Sequence, residues 1–283
     1  MAFPLRDEST RRQVPWTVLT LIAVNVAIFL FLQPASLQRG ESETGSLSRD
    51  EQLEVTTHFA EWGSIPCEVR SLESRADGAG GRCTRDTDDR PLVDGKPVLA
   101  SLLTALFLHG SIIHLAANML FLWVFGAAVE DRFGPGPFLG LYLVGGVAGT
   151  LAYVAVNSGS AEPVVGASGA ISAVMGAFLL IGGRRRILSF VAPLPLVVVT
   201  LPAWALLGPY LVSQLVTPDD TAVAVQAHAG GMVAGFVIAL VLRFFIPTAG
   251  QVRRRRRDRT DAPPPVDPAT WTIPDRPPVT AEG

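Results

Sequence analysis

The stretch Gly166-Ala167-Ser168-Gly169-Ala170-Ile171-Ser172-Ala173-Val174-Met175-Gly176-Ala177-Phe178 decides how this chain folds. It runs on to Gly183 without a charge, and Gly169, Ala173 and Ala177 recur every four residues, the spacing that lets helices pack closely in lipid. Counted from Ser168, such a helix is about 24 Å long at 1.5 Å per residue, short of the ~30 Å hydrocarbon core. A serine opening a short span is therefore expected to lie recessed, with the segment 157–167 dipping toward it. The matching surface lies in Ala224 to Leu242, where Gly231 and Gly235 form a GxxxG face and His228 sits one turn before it.

Composition places this stretch in a membrane protein. Of 283 residues 49% are hydrophobic and only 17% charged, against ~25% charged in soluble domains, and the mean hydropathy is +0.37. A soluble domain needs more charge on its surface, and a disordered chain cannot carry this much apolar matter. The net charge of −2 gives no reason to expect nucleic acid. Charge-free runs near span length fall at 16–32, 112–129, 137–156, 168–183, 196–216 and 224–242. The expected fold is all-α: a polytopic six-helix bundle, with the first helix at 16–32 and a core of five further spans within 99–246. The segment 186–195, broken by Pro193 and Pro195, is expected as an interfacial loop.

Lys and Arg near the spans set the orientation. Arg6, Arg11, Arg12, Arg132, Arg184 to Arg186, Arg243 and Arg253 to Arg257 all fall on one side of a six-span chain, while 157–167 and 217–223 carry only Glu162, Asp219 and Asp220. Both termini are expected to be cytoplasmic, including the short segment 1–15, in a protein of the cell membrane. The first run is long for a signal peptide and lacks a small-x-small cleavage site, so it is expected to be retained. The acidic segment 33–98 then lies outside as a loop and holds the only two cysteines, Cys67 and Cys83. In an oxidising compartment these can form a disulfide, two unpaired thiols being the other reading. The tail 247–283, an arginine run followed by seven prolines from Pro263 onward, is expected to be disordered, with the arginines near anionic lipid. There is no internal repeat of transporter type.

Strongly polar side chains inside a span are costly, so each is a functional hypothesis. Span 2 carries His114 and Asn118 on one helical face, span 4 opens with Ser168, and span 6 carries His228 near its start. All four are expected in one depth band near the outer surface. Their types fit nucleophilic attack on a carbonyl: a serine activated by a histidine base, with donors from His114, Asn118 and the Ser168 backbone N–H for the developing oxyanion. Since the spans contain no Asp or Glu, a dyad is expected rather than a triad. Singly, each signal has a plainer reading. Small residues around Ser168 pack helices, His114 with Asn118 can be an interhelical polar pair, His109 orders a loop, and Glu130-Asp131-Arg132 is a solvated helix end. Ala170 also stands where the soluble hydrolase elbow G-x-S-x-G has its second glycine. Three imidazoles, His109, His114 and His228, raise zinc as an alternative, but His109 and His114 are five apart and no H-E-x-x-H is present. No metal or cofactor is expected.

With these residues in view, the chain resembles the rhomboid intramembrane serine proteases over about 104–245. The resemblance is carried by Phe107-Leu108-His109-Gly110-Ser111, His114-Leu115, Asn118-Met119-Leu120, Glu130 with Gly134, Gly166-Ala167-Ser168-Gly169-Ala170, and Ala227-His228 with Gly231 and Gly235. It implies Ser168 as nucleophile, His228 as base, His114 and Asn118 in the oxyanion hole, and Gly169, Gly231 and Gly235 as close-packing positions. It also implies transmembrane proteins as substrates, cut near the outer surface, with the lipid bilayer as the other partner. Ala100-Ser101 stand where many members have Trp-Arg, and Ser172 stands where many have an aromatic residue against the histidine, which leaves the support of His228 unassigned. A rhomboid-like protein that binds membrane clients without cutting them is the competing reading, and a transporter a more distant one. Substrate identity and oligomeric state are not legible.

Overall fold

The computed structural model describes residues 2–7, 14–39, 47–74, 83, 93–191, 198–216 and 224–247. The expected disorder of the tail, the placement of Pro193 and Pro195, and the acidic turn with Asp219 and Asp220 fall outside these residues. Strand β1, Ala2–Asp7, precedes α1, Trp16–Phe31. Helices α2, Ala35–Gln38, α3, Arg49–Trp62, and α4, Pro66–Ser71, follow. Next come α5, Val98–Thr104, ending in a 3-10 turn, and α6, Ile112–Phe133, whose turn Leu122–Gly126 is wound as π-helix. Helices α7, Pro135–Val156, and α8, Ser168–Gly182, lead to strands β2, Arg186–Val191, and β3, Val198–Pro202. Helices α9, Ala203–Val216, and α10, Val225–Phe245, complete the described chain.

The fold is a helical membrane bundle. Helices α6, α7 and α10, of 22, 22 and 21 residues, are long and apolar enough to cross a membrane, and α1 and α8 are shorter apolar helices. The fifth expected span is partly corrected: it becomes helical only at Ala203, and Val198–Pro202 is strand. The run Val198-Val199-Thr200 is β-branched, and such side chains sit better on a pleated surface than in a helix. The expected interfacial loop is likewise strand from Arg186 to Val191, pairing antiparallel with both β1 and β3. The N-terminal residues 2–7 thus belong to a three-stranded sheet.

Glycine sets the centre of the bundle. A β-carbon at Gly231 would collide with the carbonyl of Gly169, one at Gly235 with that of Ala173, and one at Gly176 with that of Met232. Helices α8 and α10 therefore touch backbone to backbone, which only small residues permit. Phe125, Phe138, Tyr142 and Phe178 fill the core, with Phe125 and Phe178 edge to face at 5.1 Å. Helix α1 closes one flank through a carboxylate: Glu130 Oε1 and Oε2 accept the N–H groups of Thr17 and Val18, each at 2.9 Å. The solvated helix end expected at Glu130 is corrected, because this side chain is 6% exposed and satisfies the N-terminus of another helix. Gly134 then turns the chain into α7 at φ +88°, a conformation that suits glycine.

The segment 33–98, expected as a loop, contains three helices among its described residues. Ser48 and Glu51 form a capping box that starts α3. Lys96 Nζ, wholly buried, donates to Glu68 Oε2 at 2.8 Å and to the Gly63 carbonyl at 2.7 Å. Burial pushes the Lys96 ammonium below its ordinary range, against the opposing pull of its hydrogen bond to Glu68. Cys67 and Cys83 are joined in a disulfide with Cα atoms 6.3 Å apart. The same segment holds the strap that leads to Ser168: Ser64 and Val164 exchange backbone hydrogen bonds of 3.1 and 2.7 Å, and Cys67 N–H donates to the Ser160 carbonyl at 3.1 Å.

Candidate active site

Ser168 is the first residue of α8, and no side chain caps that helix. It therefore carries one of the backbone N–H groups that an α-helix leaves without an intrahelical partner. The chain reaches it through Gly166, at φ +122°, whose N–H donates to the Ala105 carbonyl at 2.8 Å. A β-carbon on Gly166 would lie 3.0 Å from the His114 ring and 3.7 Å from Ser168 Oγ. Glycine here is what lets the backbone approach the imidazole.

His228 lies in the first turn of α10, three residues before the glycine that touches α8. The backbone contact of the two helices brings His228 Nε2 to 2.8 Å from Ser168 Oγ. The remaining sequence-derived residues come from α6. Ser111 Oγ caps that helix by accepting the His114 N–H at 3.1 Å. The His114 ring then accepts the Gly110 N–H at Nδ1, at 3.4 Å. A neutral imidazole that accepts at Nδ1 carries its proton on Nε2, so His114 presents a donor from the edge that lies against Gly166.

Asn118 stands one turn further along α6 and is 7% exposed. Its Nδ2 has no hydrogen-bond partner among the described residues. A buried amide left this way costs free energy unless something polar meets it. Ser168, His228, His114 and Asn118 all line one cavity of about 630 Å³, whose other polar walls include Tyr210 and Glu162. Amide and imidazole donors, a hydroxyl and a second imidazole around one chamber are groups that acyl transfer would require.

His109, fully buried, packs edge to face on His114 with centroids 5.3 Å apart. Its backbone is gripped by Gln33, whose Nε2 donates to the His109 carbonyl at 2.8 Å and whose Oε1 accepts the His109 N–H at 3.0 Å. Gln33 carried no signal as the residue after an apolar run. Tyr210 on α9 was also missed: its hydroxyl lies 3.4 Å from His228 Nδ1, with the two ring centroids 6.4 Å apart and inclined by 32°. The only cue is an aromatic residue with a polar tip next to Pro209, in a span otherwise read for hydropathy alone.

Comparison with known proteins agrees with this architecture. The Rhomboid domain model matches residues 96–244, just over half of the chain. Rhomboid protease GluP of Bacillus subtilis (strain 168) is 36% identical over 157 residues, which cover 54% of this chain and 28% of that protein. RHOMBOID-like protein 12, mitochondrial, of Arabidopsis thaliana is 31% identical over 153 residues, 47% of this chain and 43% of that one. Rhomboid protein 1, mitochondrial, of Saccharomyces cerevisiae (strain ATCC 204508 / S288c) is 34% identical over 99 residues, 34% and 29% of the two chains. The chain spans less than half the length of each of these relatives. A polytopic helical bundle packed on glycine, a Ser–His pair at a helix start and a family match across that whole region lead to one assignment: the chain belongs to the rhomboid family.

Proposed function

We propose that this protein is a serine endopeptidase that hydrolyses peptide bonds in or near the transmembrane segments of other membrane proteins. The observation that carries the proposal is the 2.8 Å contact between Ser168 Oγ and His228 Nε2. At that distance the imidazole can take the hydroxyl proton as Oγ attacks a carbonyl carbon. The oxyanion then meets the Asn118 amide, the His114 Nε2–H and the Ser168 backbone N–H, donors on residues that line the cavity, where each is worth more than in water. His228 returns the proton to the departing amine, and water entering the chamber repeats the sequence on the acyl-serine. A helical substrate hides its carbonyls in hydrogen bonds, so an unwound stretch is the preferred target.

The distribution of Lys and Arg supports cytoplasmic termini in the cell membrane, with the chamber opening to the extracytoplasmic side. A disulfide in the segment 33–98 fits an oxidising compartment there. The competing reading, a client-binding protein without activity, leaves an intact Ser–His contact without use. A fluorophosphonate probe on the detergent-purified protein separates the two. Labelling at Ser168 and cleavage of a model transmembrane substrate, both lost in Ser168→Ala, are expected. A folded wild type that takes no label and cuts no better than Ser168→Ala overturns the protease reading.

A further inference from the structure

Where many rhomboids carry an aromatic residue against the histidine, α8 carries Ser172, four residues after the nucleophile and 1% exposed. The space is taken by an aromatic ring from another helix. Tyr210 of α9 inclines its ring by 32° to that of His228 and sets its hydroxyl 3.4 Å from Nδ1. The same hydroxyl is hydrogen-bonded to the Ser172 side chain. Three side chains from three helices thus continue the line that begins at Ser168 Oγ.

We infer that Tyr210, seated on Ser172, is the positioning residue that holds His228 in its basic form, a neutral group in the place that a carboxylate takes in a triad. This inference rests on the protease reading and goes beyond it. A histidine can serve as base toward Ser168 only if Nε2 is bare, so its proton must sit on Nδ1. A donor at Nδ1 would select the opposite tautomer and leave Nε2–H facing the serine. In the inferred arrangement the Tyr210 hydroxyl donates its proton to Ser172 Oγ, which leaves its oxygen to accept Nδ1–H. When His228 gains the serine proton, the same oxygen still accepts from the imidazolium. The arrangement does part of what the buried aspartate does in a triad, without placing a charge in the membrane.

Two readouts on the full chain test it. Nitrogen spectra of protein with labelled histidine, with the His228 signals assigned by difference from His228→Ala, report which ring nitrogen carries the proton. Wild type is expected to hold it on Nδ1 at neutral pH, and Tyr210→Phe, which keeps the ring, to shift a large fraction to Nε2. Turnover of a model transmembrane substrate should show kcat reduced about tenfold in Tyr210→Phe with KM within about twofold, the mark of an interaction used in the chemical step. Ser172→Ala should reduce kcat less, and the double variant should be no worse than Tyr210→Phe, as expected of one chain of bonds. An unmoved tautomer or an unmoved kcat in Tyr210→Phe overturns the assignment and leaves the protease reading standing. A wild type that cuts nothing overturns the protease reading and the catalytic role of Tyr210 with it, an outcome visible before any Tyr210 variant is made.

Discussion

Gln33 holds the backbone of His109 with both ends of its amide, donating to the carbonyl at 2.8 Å and accepting the N–H at 3.0 Å. The pair joins the end of α1 to the turn that enters α6, 76 residues away. One residue later the Gly110 N–H fixes the tautomer of His114. Gln33→Ala should therefore lose two buried hydrogen bonds and leave two backbone groups unpaired, a cost of about 2–4 kcal/mol. Denaturant unfolding in detergent measures it, and kcat should fall with it because His114 loses its anchor.

Glu130→Gln tests the junction of α1 with α6. The carboxylate accepts from Thr17 and Val18 with both oxygens, and an amide offers only one acceptor while turning a donor toward the other N–H. A stability loss of about 1–3 kcal/mol is expected. Glu130→Asp, which keeps two acceptors on a shorter arm, should lose less.

Gly231→Ala should cost more than a methyl group ordinarily does. The added β-carbon meets the Gly169 carbonyl, which is backbone and has nowhere to move. Separation of α8 from α10 would lengthen the Ser168–His228 contact, so fluorophosphonate labelling should fall at least tenfold, with about 1–3 kcal/mol of stability lost. Gly136→Ala, at a position with open space around it, is the control and should change labelling little.

His58 on α3 provides a pH test outside the membrane helices. Burial pulls its pKa below the ordinary 6.5, against the opposing influence of Glu61 and Glu54. Between the folded value and 6.5 the unfolded chain binds more protons than the folded one, so stability rises with pH there and levels off above 6.5. Acidification below pH 6.5 should thus weaken the protein, and His58→Gln should flatten that part of the profile. Unfolding midpoints collected from pH 7 downward check the difference between the two proteins.

The bundle was legible because lipid punishes charge, so empty runs mark helices and the few polar side chains within them stand out. That contrast singled out Ser168, His228, His114 and Asn118, which the structure gathers around one cavity. It could not single out Tyr210, whose value depends on which helix lies across from Ser172, a long-range relation that periodicity does not encode. Glu130 was misread for a related reason: a carboxylate at a helix end looks solvated until the start of α1 is known to abut it. Segment 33–98 hid its helices behind polarity, although Ser48-Arg49-Asp50-Glu51 carries the capping-box pattern. Strands β2 and β3 were hidden by the opposite bias, since β-branched apolar residues raise hydropathy as much as helical ones do.

The π-wound turn Leu122–Gly126 gives α6 a vernier. In a regular helix Asn118 and Glu130, twelve residues apart, would be rotated by about 120° from one another. The wider turn lags by about one residue, which brings them to within about 30°. Asn118 reaches into the cavity and Glu130 to the foot of α1 from nearly the same meridian of one rod. Rewinding 122–126 as regular α-helix, with no residue removed, would leave both side chains in the chain and turn one of them away from its work.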